Sequence, residues 1–425
     1  MSAAPGLAEL ARLADPAVIV DPYPLLAELR QASPFAELDG AMVVLGGYQD
    51  CSAVLRDPRA SSERDRSLLS QPDAERTRSF LSLDPPDHTR LRRLVSQAFT
   101  AREVASLSPR IAAVTDELLS AVAAGGGDGG GDRGGGHTME LVSRLAYPLP
   151  VRIISELLGV PPEDQARFAA WSAKLAHSVQ PQFMAANSAE LLAEVEQAGL
   201  EFDAYFRELI AVRRARPADD LLTKLIRAED DGERLTEEEL IATCVLLLVA
   251  GHETTVGLIA NAVLALLRNR DQLAALIANP ELAAGAVQET LRFDPPVQLT
   301  GRIVRNGLKV GEMNAPDGAV LLLLLAATGR DPAVFADPDT FDISRGGREH
   351  LAFAAGAHFC LGAPLARLEA RIALQALAAR VIAPELDEAA LVYKPNFNLR
   401  GPERLVLGFD RIDAASPIAA SPDRR

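Results

Sequence analysis

Apolar residues recur at three- and four-residue spacing along most of this chain, as in helices with one buried face. The pattern predicts helices over 102–122, 139–158, 163–178, 186–214, 236–268, 271–278, 281–293 and 364–381. Short strand-like runs at 41–45 (AMVVL), 302–304, 319–323 and 404–409 predict small sheets. The fold class expected is mainly α with small β-sheets (α+β), in a single body over residues 1–412.

The 236–268 segment is the longest of these. Thr236 followed by Glu239 fits a capping box, and nothing breaks the pattern before Asn269. A helix of that length spans roughly 50 Å and must cross the middle of the protein. Its centre reads LLLVAGHETTVGLI over 246–259, so an apolar run is interrupted by a Gly, a His-Glu pair and two threonines. The His-Glu pair starts the zinc-hydrolase pattern H-E-x-x-H, but the second His position holds Val256, which ends the metal reading. Gly251 costs about 1 kcal/mol relative to Ala in a helix. Thr254 and Thr255 carry hydroxyls that reach back to the carbonyl four residues earlier, for Thr254 that of Ala250. The cluster loosens the helix and leaves a groove beside Ala250, which shares a face with Leu247, Thr254 and Leu258.

Composition narrows the setting. A net charge of −15 argues against nucleic acid as the main partner. Three widely spaced cysteines, Cys51, Cys244 and Cys360, imply no disulfide framework and fit a reducing cytoplasm. The first residues lack the basic and apolar regions of a signal peptide. The most apolar stretches, 241–250 and 319–327, fall short of the roughly 20 residues of a membrane span. A soluble cytoplasmic protein without a membrane partner is expected. Residues 125–136 hold nine glycines in twelve and read as a surface loop; 413–425 read as a disordered tail.

Two further segments carry chemistry. In HLAFAAGAHFCLG (350–362) Cys360 stands at the start of an amphipathic helix, where backbone N–H groups favour a thiolate, and Gly356 and Gly362 permit close approach to a flat ligand. Cys51 and Cys244 read instead as buried small hydrophobes. In ETLR (289–292) Glu289 and Arg292 lie on one helix face and pair.

Together, AGHETT (250–255), ETLR (289–292) and F-x-x-G-x-H-x-C-L-G (353–362) make the chain resemble the cytochrome P-450 family of heme-thiolate monooxygenases, in its soluble bacterial form. Order and spacing fit, as do HTRLRR (88–93), TGR (300–302), ATGRDPAVFADPDTFD (327–342) and NLRGPERLVL (398–407), so the resemblance covers nearly the whole chain. It departs at Ala354, where the family usually has Gly, and at Thr328-Gly329, which replace the more usual Asn before Arg330-Asp331.

The resemblance implies heme b (iron protoporphyrin IX) as cofactor, with Cys360 as axial metal ligand. It implies that Ala250 and Gly251 leave room for O2, that Thr254 hydrogen-bonds the reacting oxygen, and that Glu253 relays protons from solvent. His252 has no assignable role. His88, Arg92, Arg302 and His358 match the family's contacts to the heme propionates, and Phe353 its packing beside the sulfur. Glu289 and Arg292 are structural, with Arg345 as third member. Val249, Ala250, Val297, Leu299 and Phe397, with residues 60–84, 168–200 and 396–399, are expected to line a roomy pocket for a lipophilic small molecule, such as a polyketide, macrolide or terpenoid. No flavin- or nicotinamide-binding segment is present, so electrons come from a separate ferredoxin or flavodoxin with its reductase. Arg90, Arg93, Arg367 and Arg371 form either a basic docking face for that partner or an ordinary solvated face. A monomer is expected. The alternatives are a peroxide-using family member, against which the Glu253-Thr254 pair argues, a heme-thiolate binding or sensor protein, and a cysteine hydrolase built on Cys360 and His358, which sit too close in sequence to form a nucleophile–base pair.

Overall fold

The computed structural model describes residues 6–69, 79–125, 137–176, 189–230, 232–346 and 349–414. Most of the glycine-rich segment, the tail from 415, and the parts of the expected pocket at 70–78 and 177–188 lie outside the described residues.

The long central helix is Glu237–Arg268. Its capping box forms as the sequence predicts: the Glu239 backbone N–H donates to Thr236 Oγ1 at 3.2 Å, and the Thr236 N–H donates to Glu239 Oε2 at 2.9 Å. Asn269 closes the other end. Helices Pro148–Leu157, Gln165–Ala176, Ala283–Phe293 and Ala363–Arg380 pack around it. Buried on nearly all sides from Val256 to Leu267, it is the one described segment long and apolar enough to span a bilayer, and here it is the core of the helical layer.

Two expected helices are divided. The 102–122 run is two helices, Ala101–Ser106 and Ser108–Gly125, because Pro109 has no N–H to carry the ladder across Leu107. The start of 139–158 is a strand, His137–Glu140, paired antiparallel with Val406–Phe409 so that Met139 faces Leu407. A wide turn at Val142–Ala146 then leads into Pro148–Leu157. Local periodicity cannot register a strand partner that lies more than 260 residues away.

The largest sheet has five strands in the order Phe35–Glu37, Met42–Leu45, Val320–Leu323, Thr300–Val304 and Ala60–Ser61. It buries one set of side chains with Leu351 and Ala355 of the cysteine loop. The other set meets the N-terminal helices Leu7–Arg12, Pro16–Val20 and Tyr23–Ala32. The strand Thr300–Val304 carries the buried Arg302.

Candidate active site

The cysteine loop is shaped by two residues with positive φ. Gly356 has φ +69°, and a Cβ there would stand 2.4 Å from the Leu55 carbonyl oxygen, so no other residue fits. Ala354, the departure noted above, sits at φ +57°, a conformation that disfavours any Cβ. The Cys360 N–H donates to the Phe353 carbonyl at 3.0 Å, and helix Ala363–Arg380 starts three residues later. Burial pushes the Cys360 thiol up; the N–H groups of Gly362 and Ala363 and the charges of Arg92 and Arg367 act the other way. A cation on the sulfur would tip that balance to the thiolate. The Phe353 ring lies 6.4 Å from that of Phe359, with the Arg367 guanidinium 4.6 Å from its centroid.

Four basic side chains converge beside this loop. His88 is buried on helix Asp87–Ala98, with Arg92 one turn further on. Its ring lies 4.2 Å from that of His358. Neither ring nitrogen of His88 has a hydrogen-bond partner among the described residues. Arg302, buried, donates to Thr300 Oγ1 at 3.3 Å and to the Gly301 carbonyl at 2.8 Å, with no carboxylate in ion-pair range among the described residues. Arg92 donates to the Phe359 carbonyl. The nearby Asp84 is engaged with the Ser62 N–H at 2.9 Å and Arg305 at 3.2 Å. Burial lowers Arg302 to about 10, and burial with the neighbouring Arg302 and His88 lowers His358 to about 3. Two guanidinium cations poorly matched by anions of the chain, beside two imidazoles whose charged forms burial disfavours, fit a buried dianion. The two propionates of heme meet that requirement.

The central helix has an open stretch around Ala250. Thr254 Oγ1 donates to the Ala250 carbonyl and Thr255 Oγ1 to that of Gly251, each at 2.8 Å. Ala250 is exposed, Val249 is half-buried, and a Cβ on Gly251 would meet nothing within 4 Å. Open space therefore exists at Ala250 and Gly251 as expected, while Leu258, expected on the same face, is buried. Glu253 is largely buried: Lys394 Nζ lies 2.5 Å from Oε2, and His252 Nε2 lies 3.3 Å from Oε1. Burial alone would raise its carboxyl, but His252 and Lys394 outweigh it and bring Glu253 down to about 2. His252 has its Nδ1 3.1 Å from the Leu248 carbonyl, so that nitrogen bears a proton. Sequence reasoning missed both partners of Glu253. Lys394 is 141 residues away and carries no motif, and nothing in the local pattern around His252 gives it a role.

The Glu289–Arg292 pair is buried and bidentate, at 2.8 and 2.7 Å, and Arg345 joins it at 3.1 Å from Glu289 Oε1. Arg292 also donates to the carbonyls of Gly329, Pro338 and Thr340. A Cβ at Gly329 would fall 1.9 Å from the Arg292 carbonyl oxygen, which accounts for the glycine at this departure from the family pattern. Of the expected pocket residues, Val297 is half-buried and pairs with Leu399 in an isolated antiparallel bridge. Leu299 and Phe397 are brought together, but in a closed cluster with Leu322, Leu324 and the N-terminal helices. Of the four arginines of the expected basic face, Arg90 pairs with Glu239 and Arg367 stacks on Phe353, while Arg93 is exposed.

Residues 38–380 match the family model described as Cytochrome P-450. The chain belongs to the cytochrome P-450 family. It is 43% identical over 375 residues to cytochrome P-450 107B1 of Saccharopolyspora erythraea, covering 84% of this chain and 87% of the relative. It is 36% identical over 412 residues to the 6-deoxyerythronolide B hydroxylase of the same organism, covering 92% and 96%. The ligand-free crystal structure of CYP164A2 from Mycobacterium smegmatis superposes with a TM-score of 0.86 at 45% identity, covering 95% of this chain and 100% of that one.

As a cytochrome P-450 monooxygenase the chain binds heme b, uses a separate redox partner and acts on lipophilic substrates. The heme supplies, when bound, the one-electron and dioxygen chemistry. Cys360 would hold it from one side, and His88, Arg92, Arg302 and His358 would bind its carboxylates. Ala250 and Gly251 would leave room beside it, and the Thr254 hydroxyl, which donates its own proton to the Ala250 carbonyl, would keep its lone pairs free to accept one.

Proposed function

We propose that this enzyme hydroxylates or epoxidises a medium-to-large lipophilic natural-product intermediate of polyketide or macrolide type, inserting one oxygen atom of O2 while the other leaves as water. Electrons come from a ferredoxin or flavodoxin with its reductase, and the enzyme works as a cytoplasmic monomer. The observation that carries the reading is the acid next to the threonine: Glu253, held by Lys394 and His252, precedes Thr254 on the stretch of the central helix left open at Ala250 and Gly251. Peroxide-driven members need no such acid. The substrate class draws on the relative named as 6-deoxyerythronolide B hydroxylase. In this reading Val249, Ala250 and Val297 face the substrate, and Leu299 and Phe397 form the wall behind them.

The test starts with the CO-bound spectrum of the reduced, heme-loaded protein, where a thiolate ligand moves the main band to the red. Loss of that band in the wild type overturns the assignment. Cys360→Ala abolishes both band and turnover. Thr254→Ala keeps the band but diverts electrons to peroxide; coupling equal to wild type would remove Thr254 from the relay. A panel of macrolide and polyketide intermediates, screened by heme spin-state shift, checks the substrate class, and binding confined to small polar molecules would reject it.

A further inference from the structure

The acid beside Thr254 is held by a side chain that comes from the wall of the substrate pocket. Lys394 lies in a hairpin whose stem strands are Val392–Tyr393 and Pro402–Arg404 and whose tip carries Phe397. The Lys394 N–H donates to the Gly401 carbonyl at 3.1 Å, which fixes it at the top of the stem. The tip is tied to the other pocket segment: Gln298 N–H donates to the Asn398 carbonyl at 3.0 Å, Leu299 N–H to Asn398 Oδ1 at 3.1 Å, and Arg400 N–H to the Pro296 carbonyl at 2.8 Å. Segments 296–299 and 396–400 therefore behave as one piece.

That piece meets the central helix at Gly257 and Asn261. A Cβ on Gly401 would lie 3.2 Å from Gly257 Cα, and one on Gly257 would lie 3.1 Å from Pro296 and 3.2 Å from the Arg400 carbonyl oxygen. Asn261, one turn further, donates to the carbonyls of Asp294 and Arg400 at 3.0 and 3.4 Å. Gly257 is less than one helical turn from Thr254. Lys394 belongs to this piece and Glu253 to the helix, so a displacement of the piece against the helix would move Lys394 relative to Glu253.

We propose that Lys394 is a positioning residue that latches Glu253 in the substrate-free enzyme and releases it when substrate displaces the pocket hairpin. The inference rests on the monooxygenase reading above. With the latch closed, the carboxylate is held between Lys394 and His252. With it open, Glu253 takes a proton from solvent and passes it to the Thr254 hydroxyl, returning to the carboxylate. The titratable groups around Glu253 are His252, Lys394 and Tyr147, whose ring meets His252 edge-on at 5.6 Å. The latch keeps electrons from being spent when no substrate is present.

The experiment compares heme-loaded wild type, Lys394→Met and Lys394→Arg, with Glu253→Gln marking the carboxyl band in infrared spectra. In Lys394→Met the Glu253 carboxyl takes its proton at clearly higher pH than in wild type, and substrate-free electron consumption with a surrogate ferredoxin system rises about tenfold, a barrier change of one decade. Lys394→Arg stays close to wild type in both. A titration that moves while the leak does not makes Lys394 a simple charge partner and overturns the proposal. So does a leak that rises with the titration unmoved, or a lower melting temperature with neither. Loss of the red-shifted CO band in wild type would instead count against the heme-thiolate reading, and the infrared comparison does not depend on it.

Discussion

One guanidinium nitrogen of Arg400 donates to both carboxylate oxygens of Asp294, at 2.8 and 2.7 Å, although the two residues are 106 positions apart. The Tyr23 hydroxyl adds a third hydrogen bond to Asp294 at 2.6 Å, and Arg400 also donates to the carbonyls of Ile19 and Val20. The pair thus binds the N-terminal helices to the base of the pocket segments. Removing one partner leaves a buried charge without compensation. Asp294→Ala is expected to cost about 3–5 kcal/mol in urea unfolding, and Tyr23→Phe about 1 kcal/mol.

Ala354 occupies a backbone conformation that glycine adopts without penalty. Ala354→Gly should stabilise the protein by about 1 kcal/mol, the usual cost of a left-handed alanine less the entropy a glycine adds to the unfolded chain. Thermal unfolding of the two proteins measures it. An unchanged or lower midpoint would mean that the loop relaxes around the alanine.

Glu369 is buried in helix Ala363–Arg380, and its Oε1 has no hydrogen-bond partner among the described residues. Burial raises its carboxyl from the ordinary 4.5 to about 8. The folded chain therefore holds this proton more tightly than the unfolded one. The site's full contribution is present below pH 4.5, and stability is lost as pH rises toward 8, where the loss levels off. Glu369→Gln should flatten that limb, gaining roughly 4 kcal/mol at pH 8 relative to the change at pH 4. Denaturant midpoints across this range test the sign.

Gly251 sits mid-helix with open space where a side chain would go. Gly251→Ala should raise folding stability by about 1 kcal/mol through helix propensity. The added methyl enters the groove beside Ala250, so the same variant should bind bulky substrates more weakly. Spin-shift titration and thermal unfolding on one sample separate the two effects, which the stability–activity trade-off sets in opposite directions.

The features read correctly from sequence are those fixed by short-range rules. The capping box at Thr236, the Thr254 hydroxyl returning to Ala250, and the Glu289–Arg292 pair each depend on residues within four positions of one another. Motifs with fixed spacing carried the cysteine loop in the same way. What escaped depends on distant partners. The strand His137–Glu140 needs Val406–Phe409, Glu253 needs Lys394, and Arg90 needs Glu239. Each such contact joins a residue with an ordinary local pattern to another far along the chain. Only the helix split at Leu107 was written locally, in Pro109, and the apolar period masked it.

Cys51 and Cys244 are sealed in the interior, and burial raises both thiols far above their ordinary range. Cys360, of the three, is the cysteine that is not fully buried. An alkylating reagent applied to the folded chain therefore reads a single position, and iron bound to that sulfur would block it. Thiol accessibility is thus a built-in gauge of cofactor loading: an empty molecule takes one label, a filled one takes none, and an unfolded one takes three.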